Sequence, residues 1–224
     1  MIFNHDTPAY RRRWSVSGND MYNGAYYYSQ DICDNIIPNV ETDRHWVTIN
    51  QKGCCLNRSI VSIHNNVNPE IYDWLEDYDD LILVCGIPET CEKVAHLGTP
   101  IYLPLSIDVE YVESFKVHPD EMRNRAAFAG RRMKAQNIPA GVDMLTDMPR
   151  YELLQSMARY KYIYAVGRTA IEAKVLGCKI KTYDPRFPKT SRWKVVDNLE
   201  AAEMLQTMLD EIDKVNDDGR EEEI

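Results

Sequence analysis

No apolar run in this 224-residue sequence approaches the ~20 residues that span a bilayer, so no integral membrane segment is expected. The first residues, MIFNHDTPAYRRRW, lack the apolar stretch of a secretory leader, and the expected compartment is the cytoplasm. Cysteine is sparse, at 6 residues, with no CxxC pair; the adjacent Cys54 and Cys55 are badly spaced to chelate one zinc. Reduced, largely buried thiols are expected, with no metal site and no cofactor. The patterns GxGxxG, GxxxxGK[ST], HExxH and GxSxG are all missing. Positive charge is also in deficit: 26 Lys+Arg against 35 Asp+Glu give a formal net charge of −9. That balance argues against general affinity for nucleic acid or anionic membrane, which depends on cationic neutralisation. A nucleotide needs only a few local donors and is not excluded.

What is present is a globular composition, 44% hydrophobic and 27% charged, large enough to bury a core. Short apolar or β-branched runs alternate with stretches of helical spacing. The runs are Trp14–Val16, HWVTIN, SIVSIH, DLILVCG and PIYLPL, then RAAFAG, VDMLTD, YIYAVG and KIKTYD. Between them, helical spacing covers AYYYSQDICDNII, EIYDWLEDY, the segment from Pro88 to Gly98, RYELLQSMARY and TAIEAKVLG. A final helix, LEAAEMLQTMLDEIDKV, precedes an acidic end. Strand–helix alternation predicts an α/β protein with parallel sheets, two small Rossmann-like, doubly wound halves. The polar patch VESFKVHPDEMRN marks the division: an N-terminal half over 1–110, a C-terminal half with the last helix over 120–216, and an acidic tail over 217–224. Ligands of such sheets bind at the carboxyl ends of the strands, and the expected place is a cleft between the halves.

Four segments carry candidate chemistry. In YIYAVGRTAIEAKVLGCKI, a strand ends at Val166, Gly167 and Arg168 turn the chain, and Thr169 with Glu172 reads as a capping box opening a helix. A helix start offers free amide N–H groups and the positive dipole end, which suit a phosphate. Gly167 permits close backbone approach, Arg168 could pair bidentately with phosphate oxygens, and Glu172 could accept from ribose hydroxyls. An ordinary capped helix would show the same spacing. In AFAGRRMK, a strand ends at Gly130 and is followed at once by Arg131, Arg132 and Lys134, a local positive patch suited to a diphosphate. A solvated basic turn would also read this way. SIVSIHNN puts His64 at a strand's carboxyl end, where it could act as a base or hold a sugar hydroxyl, or simply be a hydrogen-bonded histidine. SGNDMYNG offers Gly18, Asn19 and Asp20 in a turn-rich loop that could receive an acceptor.

Taken in order, these segments resemble retaining GT-B glycosyltransferases of the broad family 4 type. SGNDMYNG is similar to that family's acceptor loop, SIVSIHNN to its histidine-ended strand, and PIYLPLSID to the strand closing its N-terminal domain. AFAGRRMK resembles its diphosphate site, and VGRTAIEAKVLGCKI its donor helix. The resemblance implies a nucleotide diphosphate sugar as donor substrate, an acceptor hydroxyl, and a metal-independent reaction. It implies donor-diphosphate contacts by Arg131 and Lys134, a ribose contact by Glu172, and an acceptor-side or catalytic role for His64. The family's donor motif has two glutamates separated by seven residues; Glu172 matches the second, and Tyr164 stands at the first. That departure, and the short chain, support the alternative of a catalytically impaired nucleotide-sugar binding module. A nucleotide-sugar epimerase on the same architecture would need further acid–base residues.

Overall fold

The structure is a computed structural model that describes residues 2–3, 24–48, 55–63, 69–187 and 189–221. It is α/β, as the alternation predicts, with two all-parallel sheets. The described chain divides into two compact units. The first takes 2–3, 29–48, 55–63, 69–104 and 198–221, and the second takes 24–28, 105–187 and 189–197.

The sheet of the first unit contains β1 (Ile2–Phe3), β2 (His45–Val47), β3 (Ser59–Ile63), β4 (Ile82–Cys85) and β5 (Thr99–Tyr102), side by side in chain order. Every residue of β3 and β4 is buried, the unbroken apolar run expected of parallel strands covered on both faces. One face, with Val61, Ile63, Leu83 and Cys85, packs against Tyr72 and Leu75 of a 3₁₀ helix (Pro69–Asp77) and Val94 of α2 (Pro88–Val94). Pro88 opens α2 at a position where its missing N–H costs nothing. Gly98, just before β5, lies so close to Leu81 that an added Cβ would be 2.6 Å from its carbonyl oxygen. β1 precedes the strand expected at Trp14–Val16, a segment that lies outside the described residues.

The segment read as one helix from Ala25 divides into α1 (Gly24–Asp31), a π-helical turn (Ile32–Ile36) and a 3₁₀ turn at Ile37–Asn39, where Pro38 cannot donate to a continuing helix. The long C-terminal helix (Asn198–Glu221) packs against these turns and belongs to the first unit. The sequence alone places it in the second half and begins a tail at 217, whereas the helix continues to Glu221. Its apolar stripe of Ala201, Ala202, Leu205 and Leu209 is buried. Polar contacts fix its place: Gln206 accepts from the Glu41 amide at 2.6 Å and donates to the Glu41 carbonyl at 3.3 Å. The Arg44 side chain, 2% exposed, donates to the Asp80 carbonyl at 2.9 Å and lies 3.7 Å from Asp213 of the helix. A periodic stripe announces an apolar face but not the core that will cover it.

In the second unit the strands are β6 (Arg123–Ala129), β7 (Asp143–Leu145), β8 (Tyr160–Tyr164) and β9 (Lys179–Lys181), in the spatial order β7-β6-β8-β9. The chain leaves β6 for a neighbour on one side, then returns to β8 on the other. This reversal, which defines a doubly wound sheet, is present here, whereas the first sheet runs in simple sequence order. α3 (Val109–Glu113), α4 (Arg150–Met157) and α5 (Arg168–Val175) complete the unit. Ala127 and Ala129 share a buried cluster with Leu153, Leu154, Met157 and Ile171, small strand residues letting helices approach. Phe128 alternates to the other face, where its ring meets Tyr183 edge-on at 5.5 Å. The exposed Lys179 and Lys181 guard β9, an edge strand. Among the described residues, no helix is long and apolar enough to cross a membrane.

Candidate functional site

In an open parallel sheet the loops on either side of an order reversal leave in opposite directions and open a crevice at the carboxyl ends of the strands. Here that place is between β6 and β8, adjacent and parallel with Phe128 opposite Tyr164. The two segments singled out in the sequence, Gly130–Lys134 and Gly167–Glu172, follow these two strands.

After β8, Gly167 sits at φ +61°, ψ −141° and serves as the N-cap of α5, its carbonyl accepting from the Ala170 and Ile171 amides at 3.0 and 3.2 Å. The expected capping box is therefore corrected. Thr169 is buried inside the first turn instead of at the cap, because Gly167, free of a Cβ, takes the strained entry conformation two residues earlier. Among the described residues, no side chain caps this helix start. An alanine Cβ at Gly167 would meet nothing within 4 Å, so Gly167→Ala isolates backbone strain. It is expected to lower stability by about 1–3 kcal/mol in chemical denaturation; an unchanged midpoint would show that the turn tolerates L-residues.

Arg168 and Glu172 turn inward. Glu172 is 0% exposed; its Oε1 accepts from Arg168 Nε at 3.0 Å, and Arg150 Nη2 lies 3.2 Å from the same oxygen. Arg168 is itself buried, with its side chain 3% exposed. The i,i+4 spacing along one helix face brings the pair together. Arg150, the first residue of α4, is the member that sequence reading missed. Its guanidinium is sandwiched between the rings of Tyr27 and Tyr111, 4.9 Å from each centroid. The phosphate pairing expected of Arg168 and the direct ribose contact expected of Glu172 do not match this inward geometry.

After β6, Gly130 adopts φ +147° and Arg131, half-buried, precedes a 3₁₀ turn (Arg132–Lys134). Arg132 is drawn off to Asp147 at 3.1 Å. Lys134 is exposed as a residue, with its ammonium 5.5 Å from the Phe187 ring centroid. Local desolvation, then the charge of Arg131, lowers its pKa. The loop following β9 is strapped to this turn. Asp184, 1% exposed, accepts from the Arg186 guanidinium and amide and from Asn137 Nδ2 at 3.2 Å, and Arg186 also donates to Gln136 at 3.2 Å. Burial pushes the Tyr183 phenol up to about 12.

The hydrogen bonds from Arg186 hold the Asp184 carboxyl well below its ordinary 3.8, at about 2. Since the folded value lies below the unfolded one, the clamp's contribution is complete above the ordinary carboxylate range and is lost as pH falls through about 2. The Asn137 side-chain amide resonances are expected to hold steady down to pH near 3 and move below it. Movement centred at 3.8 would show that the clamp does not exist in solution.

Tyr164 is the half-buried last residue of β8. Gly18, Asn19, Asp20 and His64 lie outside the described residues. Among the described residues, no group of three or more His, Cys, Asp or Glu could hold a metal ion. No family model, curated protein or solved structure matches this chain.

Proposed function

We propose that the second unit binds the diphosphate of a nucleotide diphosphate sugar at the carboxyl ends of β6 and β8, and that the protein is a metal-independent glycosyltransferase acting in the cytoplasm. One observation carries this reading: Gly130–Arg131…Lys134 and the uncapped start of α5 at Gly167 flank the same strand-order reversal. A diphosphate needs donors from two directions, and the cations of one loop and the amides of the other supply them. As the bond from the sugar's anomeric carbon to the diphosphate oxygen breaks, negative charge grows on the departing diphosphate. Arg131, Lys134 and the helix start stabilise that charge where it develops. The acceptor hydroxyl oxygen forms the new bond to the anomeric carbon, and its proton passes to the departing diphosphate oxygen. In this reading Glu172 positions Arg150 and Arg168 beneath the donor site, and the resemblance carries the acceptor-side role to His64.

A second reading is supported by Tyr164 at the position of the family's first glutamate: a module that binds the nucleotide sugar without transferring it. Turnover separates the two. With a panel of nucleotide sugars and hydroxyl acceptors, a transferase releases nucleoside diphosphate in an acceptor-dependent manner. Saturable binding with no release under any acceptor supports the module.

A further inference from the structure

Beside the amino-terminal ends of β6 and β8, a hollow of about 330 Å³ is lined by Arg123, Gln155, Ser156, Arg159 and Tyr160, with Leu145 from the carboxyl end of β7. The Arg123 amide donates to the Arg159 carbonyl at 2.7 Å, which fixes the two arginines side by side. Among the described residues, neither guanidinium has a carboxylate partner. The nearby Asp143 is occupied: Arg125 donates to one oxygen and the Tyr160 hydroxyl to the other, each at 3.0 Å. Arg123 meets a neutral phenol, with its Nη1 3.4 Å from the Tyr160 oxygen and its guanidinium 5.5 Å from the ring centroid. Burial, then the neighbouring Asp143, raises the Tyr160 pKa and keeps that phenol protonated. Carbonyls at the end of α4 are also occupied, Leu154 accepting from Ala158 at 3.0 Å and Ser156 from Arg159 at 3.2 Å. In a chain with 35 acidic residues and a net charge of −9, two adjacent arginines left without an acid in a concave surface form a local anion trap.

We propose that this hollow is a second ligand site, taking a small tetrahedral oxyanion: free phosphate or the phosphate group of a monoester. Arg159 supplies an unengaged planar fork, Arg123 a guanidinium oriented by Tyr160, and Ser156 and Gln155 neutral hydrogen-bonding groups at the rim. The hollow exceeds the size of phosphate alone, leaving room for the small organic part of an ester. Its lining shares no residue with the proposed donor site, so either assignment can fail without the other.

The test is an amide NMR titration of the full chain with inorganic phosphate, and separately with glycerol 3-phosphate, each against sodium chloride at matched ionic strength. Saturable shifts at Ser156, Arg159 and Tyr160 are expected with phosphate. If only the ester saturates, the monoester is the ligand. Arg159→Ala is expected to weaken binding about tenfold or more, the loss of a charge-assisted pair. Because Arg159 is exposed, this variant keeps the fold; Arg159→Lys, which retains charge without the fork, is expected to recover only part of the affinity. Arg131→Ala leaves these shifts unchanged. Shifts reproduced by chloride, absent with both phosphate probes, or indifferent to Arg159→Ala would overturn the proposal.

Discussion

Replacing Glu172 by alanine is expected to cost about 3–5 kcal/mol of folding stability, the penalty for leaving buried charge without its partner. The carboxylate has no exposed surface, and Arg150 and Arg168 converge on a single one of its oxygens. Its removal takes the shared carboxylate away from both guanidiniums. Arg150 retains its two tyrosine faces, which attract a cation but accept no N–H in the ring plane. Denaturant unfolding followed by circular dichroism measures the loss. Adding Arg150→Met to Glu172→Ala removes one of the two charges that faced the carboxylate and is expected to restore part of it, a coupling that a double-mutant cycle reads directly. A loss under about 1 kcal/mol for Glu172→Ala would mean that the cluster contributes little in solution. A near-neutral stability change with a large fall in nucleotide affinity would instead return Glu172 to the ribose role that the sequence resemblance implies.

The second large effect is on binding. Arg131→Ala is expected to reduce affinity for the nucleoside diphosphate by about 10–150-fold, the worth of one charged hydrogen bond at about 1.5–3 kcal/mol. Stability should change by less than about 1 kcal/mol, because Arg131 stands in a turn after β6 and outside the apolar cluster of the unit. Titration calorimetry gives the affinity, and the unfolding midpoint gives the control. Unaltered affinity in this variant would remove the β6 loop from the binding site and leave only the α5 start, too little to hold a diphosphate.

Legibility of the sequence followed the range of the interaction concerned. Parallel strands such as SIVSI and ILVC announce themselves by continuous burial, and Gly130 and Gly167 by ending such runs just before cations or a helix. Those features are local, so the fold class and the two strand-end loops could be read directly. The direction of Arg168 could not, because it depends on Glu172 and on Arg150, which arrives from another helix. The strap formed by Asp184, Arg186 and Asn137 is nonlocal in the same way: KIKTYD announces a strand but says nothing about which turn its loop will reach. The β1 pair at Ile2–Phe3 is too short to carry any periodicity, and its partner Trp46–Val47 is distant in the chain. The helix stripe around Leu205 was visible, but the turns it covers lie on the far side of the sequence.

The most direct measurement is an amide NMR titration of the protein with ADP, GDP, UDP, CDP and dTDP in turn. At least one is expected to produce saturable shifts at Gly130, Arg131, Gly167, Arg168 and Thr169 together, the two loops responding with one dissociation constant. Millimolar nucleotide that leaves these amides unmoved, or that moves one loop without the other, would contradict a diphosphate site between β6 and β8.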